Sequence, residues 1–171
     1  MRVVAGTARG RRLVAPKGLD VRPTTDRVRE AIGNRLQSLD VLRDARVVDL
    51  FAGTGALGIE ALSRGAAHAT FVENAPAALA ALETNLDALG FTSQATVVRA
   101  DAARFSGGPF DVAFIDPPYT WQGWDDLLAG LDAEYVLCEA RKPVELPAPW
   151  RLVRSDRYGT TVVTLGLRGS P

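Results

Sequence analysis

A short apolar run, Val47-Val48-Asp49-Leu50, leads directly into the turn Phe51-Ala52-Gly53-Thr54-Gly55 and then into a helical pattern that stops at Gly65. No other feature constrains the fold as much. Glycines at 53, 55 and 58 let the backbone turn sharply and pass close to a ligand, which side chains with a Cβ would prevent. A buried strand feeding a helix through such a turn is one unit of an α/β sheet.

The rest of the chain repeats that rhythm. Ala69–Glu73, Ala95–Ala100, Asp111–Ile115 and Tyr135–Cys138 read as further strands. Between the first two, Asn74 is suited to cap a helix, Pro76 to occupy its first turn and Gly90 to end it. Residues 127–131 read as a short helix. Alternating strands and helices imply a parallel sheet covered on both faces. The C-terminal runs, 151–158 and 160–167, are separated only by Gly159, so the sheet is expected to end in an antiparallel hairpin. At the other end, Arg2–Gly6 and Arg11–Ala15 read as a β-hairpin around Thr-Ala-Arg-Gly. Thr24 or Thr25 is suited to cap a helix whose apolar stripe is Val28, Ile32, Leu36 and Leu39, with Arg27, Arg29 and Arg35 off that stripe.

The glycine loop matches Gly-x-Gly-x-x-Gly, and Glu73 lies where a ribose-binding acid of a nicotinamide site belongs. An NAD-dependent oxidoreductase is therefore one reading. Asp49 opposes it, because a carboxylate four residues before the first glycine repels a diphosphate. The same carboxylate attracts S-adenosylmethionine, which carries a sulfonium and an ammonium group. On that reading Glu73 accepts from the ribose hydroxyls, and Asp101, after the third strand, accepts from the adenine amine. The alternative is that each acid merely ends its strand at the surface.

Asp116-Pro117-Pro118-Tyr119 follows the apolar strand 110–115 directly. Two prolines remove two backbone donors, which suits a place where carbonyls must face a substrate. An exocyclic base amine is a poor nucleophile because its lone pair is delocalised into the ring. Two acceptors, the Asp116 carboxylate and the Pro117 carbonyl, can hold both its hydrogens and draw the nitrogen toward tetrahedral geometry. Asp116 also stabilises the developing positive charge, and Tyr119 offers a ring on which an unpaired or flipped base can stack.

Charge and composition narrow the class further. Residues 1–35 carry nine Arg or Lys against three acids, a surplus of six on a chain with zero formal net charge. That asymmetry suggests a nucleic-acid-facing arm on an acidic body, with a solvated basic face as the plain alternative. One cysteine, Cys138, lies within an apolar run and reads as core, which leaves no nucleophile for cytosine C5 chemistry. One histidine, His68, reads as a surface loop residue, so no metal site is expected. Trp121 and Trp124 fit either the wall of a base pocket or the packing of the next helix. A cytoplasmic location is expected, since residues 1–6 lack a signal-peptide pattern and no stretch is long and apolar enough to span a bilayer.

Three stretches together resemble the bacterial 16S rRNA guanine-N2 methyltransferases known as methyltransferase D of the small ribosomal subunit. They are Arg22-Pro-Thr-Thr-Asp-Arg-Val-Arg-Glu30, Asp49-Leu-Phe-Ala-Gly-Thr-Gly-Ala-Leu-Gly58 and Asp116-Pro-Pro-Tyr119. The first is the most specific; the other two are shared by many amino-group methyltransferases. The resemblance implies a Rossmann-like class I S-adenosylmethionine methyltransferase with a seven-stranded sheet. It implies as substrate the guanine conventionally numbered 966, in 16S rRNA of 30S subunits already carrying ribosomal proteins. One departure is Gly33, where relatives usually carry a large apolar residue.

The expected division is a basic arm over 1–22 and a methyltransferase domain over 23–171, in a monomer. The expected cofactor set is Asp49, Phe51, Ala52, Gly53, Thr54, Gly55, Leu57, Glu73, Asn74, Asp101 and Ala102. Arg9, Arg11, Arg12, Arg22, Arg27 and Arg29 are expected on RNA. Besides the oxidoreductase, the competing readings are a DNA adenine-N6 methyltransferase, for which the chain leaves no recognition domain, and a non-catalytic RNA-binding module.

Overall fold

The computed structural model describes residues 1–16 and 25–169, so Lys17, Arg22, Thr24 and the expected boundary at residue 22 lie outside the described residues. The strands are β1 (Arg46–Leu50), β2 (His68–Glu73), β3 (Ala95–Arg99), β4 (Gly107–Ile115), β5 (Leu131–Ala140), β6 (Trp150–Tyr158) and β7 (Thr161–Arg168). They form one seven-stranded sheet in the order β3-β2-β1-β4-β5-β7-β6. The first five are parallel; β7 runs antiparallel between β5 and β6. The helices are α1 (Asp26–Ser38), α2 (Ala56–Ser63), α3 (Pro76–Leu89) and α4 (Trp124–Gly130).

Each face of the sheet has its own core. Val47, Phe71, Phe114 and Leu137 pack against Ile32 and Leu36 of α1, Ile59 of α2 and Leu82 of α3. Val48, Val72, Ile115 and Cys138 pack on the opposite face against Leu127 and Leu128 of α4. Strand alternation thus places neighbouring residues of each strand in different cores. The chain leaves β1 toward β2 and β3, then returns to its other side as β4. That reversal opens a crevice beyond the C-terminal ends of β1 and β4, where ligands of such sheets bind.

Several local expectations need correction. Asn74 does not cap α3; Ala75 holds that position without a side-chain bond, because the Asn74 and Ala75 amides both donate to Glu73. Leu131 begins β5, and the alternation of buried Leu131 and Ala133 with exposed Asp132 and Glu134 marks a half-buried strand there. His68 is the first residue of β2 and bonds the Thr96 hydroxyl at 2.8 Å. Thr25 does cap α1, accepting from the Val28 amide. Leu39, expected on the apolar stripe, follows the helix end and is 40% exposed.

The N-terminal segment folds back on itself with a single antiparallel bridge, Arg2 to Arg12, in place of two full strands. Backbone bonds such as Val3 amide to Arg11 carbonyl and Gly10 amide to Val3 carbonyl close the turn, and further bonds tie it to the body. Val4 and Ala5 amides donate to Glu60, the Ala8 amide donates to the Ser63 hydroxyl, and Asn85 bonds both backbone groups of Val14. Val3, Ala8 and Leu13 join the core beneath them. Among the described residues, no helix is long and apolar enough to cross a membrane.

Candidate active site

The crevice at the switch point is a cavity of about 560 Å³, within the range of small-molecule sites. One wall is the turn after β1. Phe51, Gly53 and Gly55 all have positive φ (60°, 55° and 83°), and for Phe51 this is a strained conformation of the sort concentrated at ligand-binding loops. A Cβ on Gly58 would lie 2.4 Å from the Phe71 ring and 3.2 Å from the Asp49 carboxylate, so α2 can start this close to the sheet only with glycine there.

Strand alternation explains the chemistry of the wall. Asp49 is paired with Phe71 and Phe114 in register, and Ile115 with Cys138. Counting by twos, Glu73, Asp49, Asp116 and Glu139 project to one sheet face from β2, β1, β4 and β5, and all four line the cavity. Asp49 is buried, and its Oδ2 accepts from the Gly58 amide at 2.9 Å. Burial pushes its carboxyl well above the usual range. The Gly58 hydrogen bond opposes that shift, while the charges of Asp116 and Glu73 add to it. Such a wall repels a diphosphate and favours a cationic ligand, so it suits S-adenosylmethionine and opposes the nicotinamide reading.

Glu73 does more than was expected of it. Its Oε1 accepts from the Asn74 and Ala75 amides at 2.8 Å each, and its Oε2 accepts from the Gly53 amide at 2.9 Å. It therefore ties the glycine loop to the start of α3, and Oε2 keeps acceptor capacity for a ribose hydroxyl. Asn85 of α3 adds a second tie, its amide donating to the Thr54 carbonyl at 3.0 Å.

Phe51, Ala52, Gly53, Thr54, Leu57, Asn74 and all of Asp116 to Tyr119 line the cavity. Gly55, Asp101 and Ala102 do not. Gly55 precedes α2, where a Cβ would strike Leu82 at 2.3 Å. Asp101 caps a 3-10 turn, accepting from the Ala103 amide, with its carboxylate half exposed. Trp121 and Trp124 do not line the cavity either; they pack edge-on, 5.0 Å apart, and Trp121 meets Phe51 at 5.2 Å.

Tyr119 is held from two sides. Its hydroxyl lies 3.1 Å from that of Thr161, and the Arg141 guanidinium sits 4.7 Å from its ring centroid. Sequence reasoning missed Glu139, Thr161 and Arg141. For Glu139 the signal was present, since an acid closing an apolar strand is what singled out Asp49 and Glu73.

Of the expected RNA-facing cations, Arg9, Arg12 and Arg27 are exposed. Arg11 is exposed too, and donates to the Ala88 carbonyl near the end of α3. Arg29 must be withdrawn. It is 0% exposed and donates to the Arg2 carbonyl and to Asp26, because the N-terminal segment covers the flank of α1 beside the apolar stripe.

A family model described as conserved hypothetical protein 95 matches residues 1–166. The ribosomal RNA small subunit methyltransferase D of Escherichia coli K12 is 38% identical over 178 residues, 96% of this chain and 88% of that one. The solved structure of E. coli yhhF superposes with a TM-score of 0.87 at 36% identity, covering 100% of this chain and 99% of that one. An RNA methyltransferase of Salinibacter ruber, solved with S-adenosyl-L-homocysteine, shares the fold at a TM-score of 0.66 and 14% identity, over 83% and 93% of the two chains. The fold is thus the class I methyltransferase fold, and the chain belongs to the small-subunit rRNA methyltransferase D family.

Proposed function

We propose that this protein methylates the exocyclic N2 amine of a guanine in 16S rRNA, the one conventionally numbered 966, within assembled or assembling 30S subunits. The observation that carries the reading is that the acids suited to a cationic cofactor and the whole Asp116-Pro117-Pro118-Tyr119 stretch share one cavity. The rRNA class comes from relatives such as the E. coli methyltransferase D, and the guanine from the family resemblance.

S-adenosylmethionine supplies an electrophilic methyl group. Asp49 faces its positive charge, and Glu73 accepts from its ribose. On the substrate side, the Pro118 carbonyl is already taken by the Trp121 amide at 2.8 Å, so the Pro117 carbonyl serves with the Asp116 carboxylate to hold the amine hydrogens. Asp116 stabilises the positive charge that grows on nitrogen. The base stacks on the Tyr119 face opposite Arg141, which fixes the amine for in-line attack. Arg9, Arg11, Arg12 and Arg27 contact RNA phosphates; such contacts position the substrate without selecting a base.

The test is methylation of undermodified 30S subunits with labelled cofactor, followed by mapping of the modified nucleotide. Asp116→Ala is expected to slow transfer by roughly 10²- to 10³-fold with cofactor affinity largely kept. Label on adenine N6, label on DNA, or near-normal turnover in the variant overturns the reading.

A further inference from the structure

We infer that Glu139 selects guanine over adenine by accepting the N1 hydrogen of the target base while Asp116 holds the adjacent N2 amine. The inference rests on the proposed function. Glu139 follows Cys138 on β5, and Cys138 is paired with Ile115 of β4, the residue before Asp116. Asp116 directly follows the end of β4, and Glu139 continues β5 by one residue, so continuing the register places the two as neighbours at the C-terminal edge of the sheet. Both line the cavity, and Glu139 is 3% exposed. A buried carboxylate next to another acid opposes folding, and such groups concentrate at sites that use them.

The Watson–Crick edges of the two purines supply the chemistry. In guanine the atom beside the exocyclic amine on that edge is N1–H, a donor. In adenine the atom beside the amine is N1 with a lone pair, an acceptor. A carboxylate accepts from the first and repels the second. With the amine fixed by Asp116 and Pro117, a second acceptor one strand away therefore reads the base. Asp116 alone does not, since both purines present an amine with two hydrogens. Glu139 already takes part in an interaction, and a carboxylate's roughly four acceptor positions leave room for a substrate proton.

The probe is a set of 30S subunits reconstituted with ligated 16S rRNA carrying guanine or 2,6-diaminopurine at the methylated position. Diaminopurine keeps the C2 amine and lacks the N1 hydrogen. Wild type is expected to prefer guanine in kcat/KM by roughly 10- to 150-fold, the range for a hydrogen bond to a charged group. In Glu139→Gln, whose amide can accept or donate, the preference is expected to fall below about threefold. A ratio measured within one enzyme is insensitive to a uniform loss of folded protein.

An unchanged ratio in Glu139→Gln overturns the inference, as does a wild type that treats the two bases alike. The second measurement needs no variant and stands even if the substitution prevents folding. If wild type fails to methylate guanine at all, the proposed function falls first; if it methylates guanine N2 and only the ratio is unmoved, this inference alone falls.

Discussion

Asn85→Ala tests whether the basic N-terminal segment and the glycine loop are joined through one side chain. Asn85 is 1% exposed and makes three hydrogen bonds. It accepts from the Val14 amide at 2.7 Å and donates to the Val14 and Thr54 carbonyls at 3.0 Å each. The alanine variant leaves the buried Thr54 carbonyl without this donor, which costs about 1–3 kcal/mol. Val14 is 52% exposed, so its two groups can turn to water, and their loss costs roughly 1–3 kcal/mol together. The total, about 2–6 kcal/mol, is a large fraction of the ~5–15 kcal/mol that holds a domain folded. At about 2–4 °C per kcal/mol for a chain of this size, Tm should fall by roughly 5–20 °C. Denaturant unfolding gives the free energy, and hydrogen exchange shows whether the Val14 amide loses protection. Cofactor affinity should fall as well, because Thr54 lines the cavity. A loss below about 1 kcal/mol with the Val14 amide still protected would refute the reasoning.

Two further outcomes concern charge. Asp49 holds its proton to higher pH folded than unfolded, so it lowers stability as pH rises from the ordinary carboxylate range through its raised folded value. Asp49→Asn keeps an acceptor for the Gly58 amide and should therefore melt higher than wild type at neutral pH while binding cofactor more weakly; a lower Tm there would contradict this. For the basic segment, Arg9→Glu with Arg12→Glu leaves Arg11 on the Ala88 carbonyl. The pair should weaken 30S binding and flatten its salt dependence by about two in slope, with cofactor affinity unchanged, and binding equal to wild type across a salt titration would remove these residues from the RNA interface.

What the sequence disclosed was local. The turn 51–55, the Thr25 cap and the β6–β7 hairpin each depend on a few adjacent residues, and the structure has all three. The start of β5 was hidden because Asp132 and Glu134 interrupt its apolar run, although their alternation with Leu131 and Ala133 suits a strand covered on one side. Arg29 was misread for a tertiary reason. A helical wheel gives the stripe of α1 that faces the sheet, and nothing in the local pattern shows that residues 1–16 cover its flank. Asp101 illustrates a different limit: an acid after a strand can serve its own turn, and sequence does not separate that role from ligand binding.

The space beside Gly33 in α1 is filled in place by another side chain. A Cβ there would lie 2.4 Å from the Arg64 guanidinium, so that side chain fills the space a larger residue would take. Arg64 is 1% exposed and bonds Glu60 at 2.9 Å and the Asn34 and Gln37 side chains at 3.0 Å each. Glu60 in turn receives the Val4 and Ala5 amides. The hollow in α1 therefore lets a cation at the end of α2 approach, and that cation balances the buried carboxylate on which the N-terminal segment rests. Followed through Asn85 to Thr54, the same segment reaches the cofactor loop. The segment that carries the cations proposed to hold RNA and the loop proposed to hold S-adenosylmethionine are thus joined through the buried side chain of Asn85.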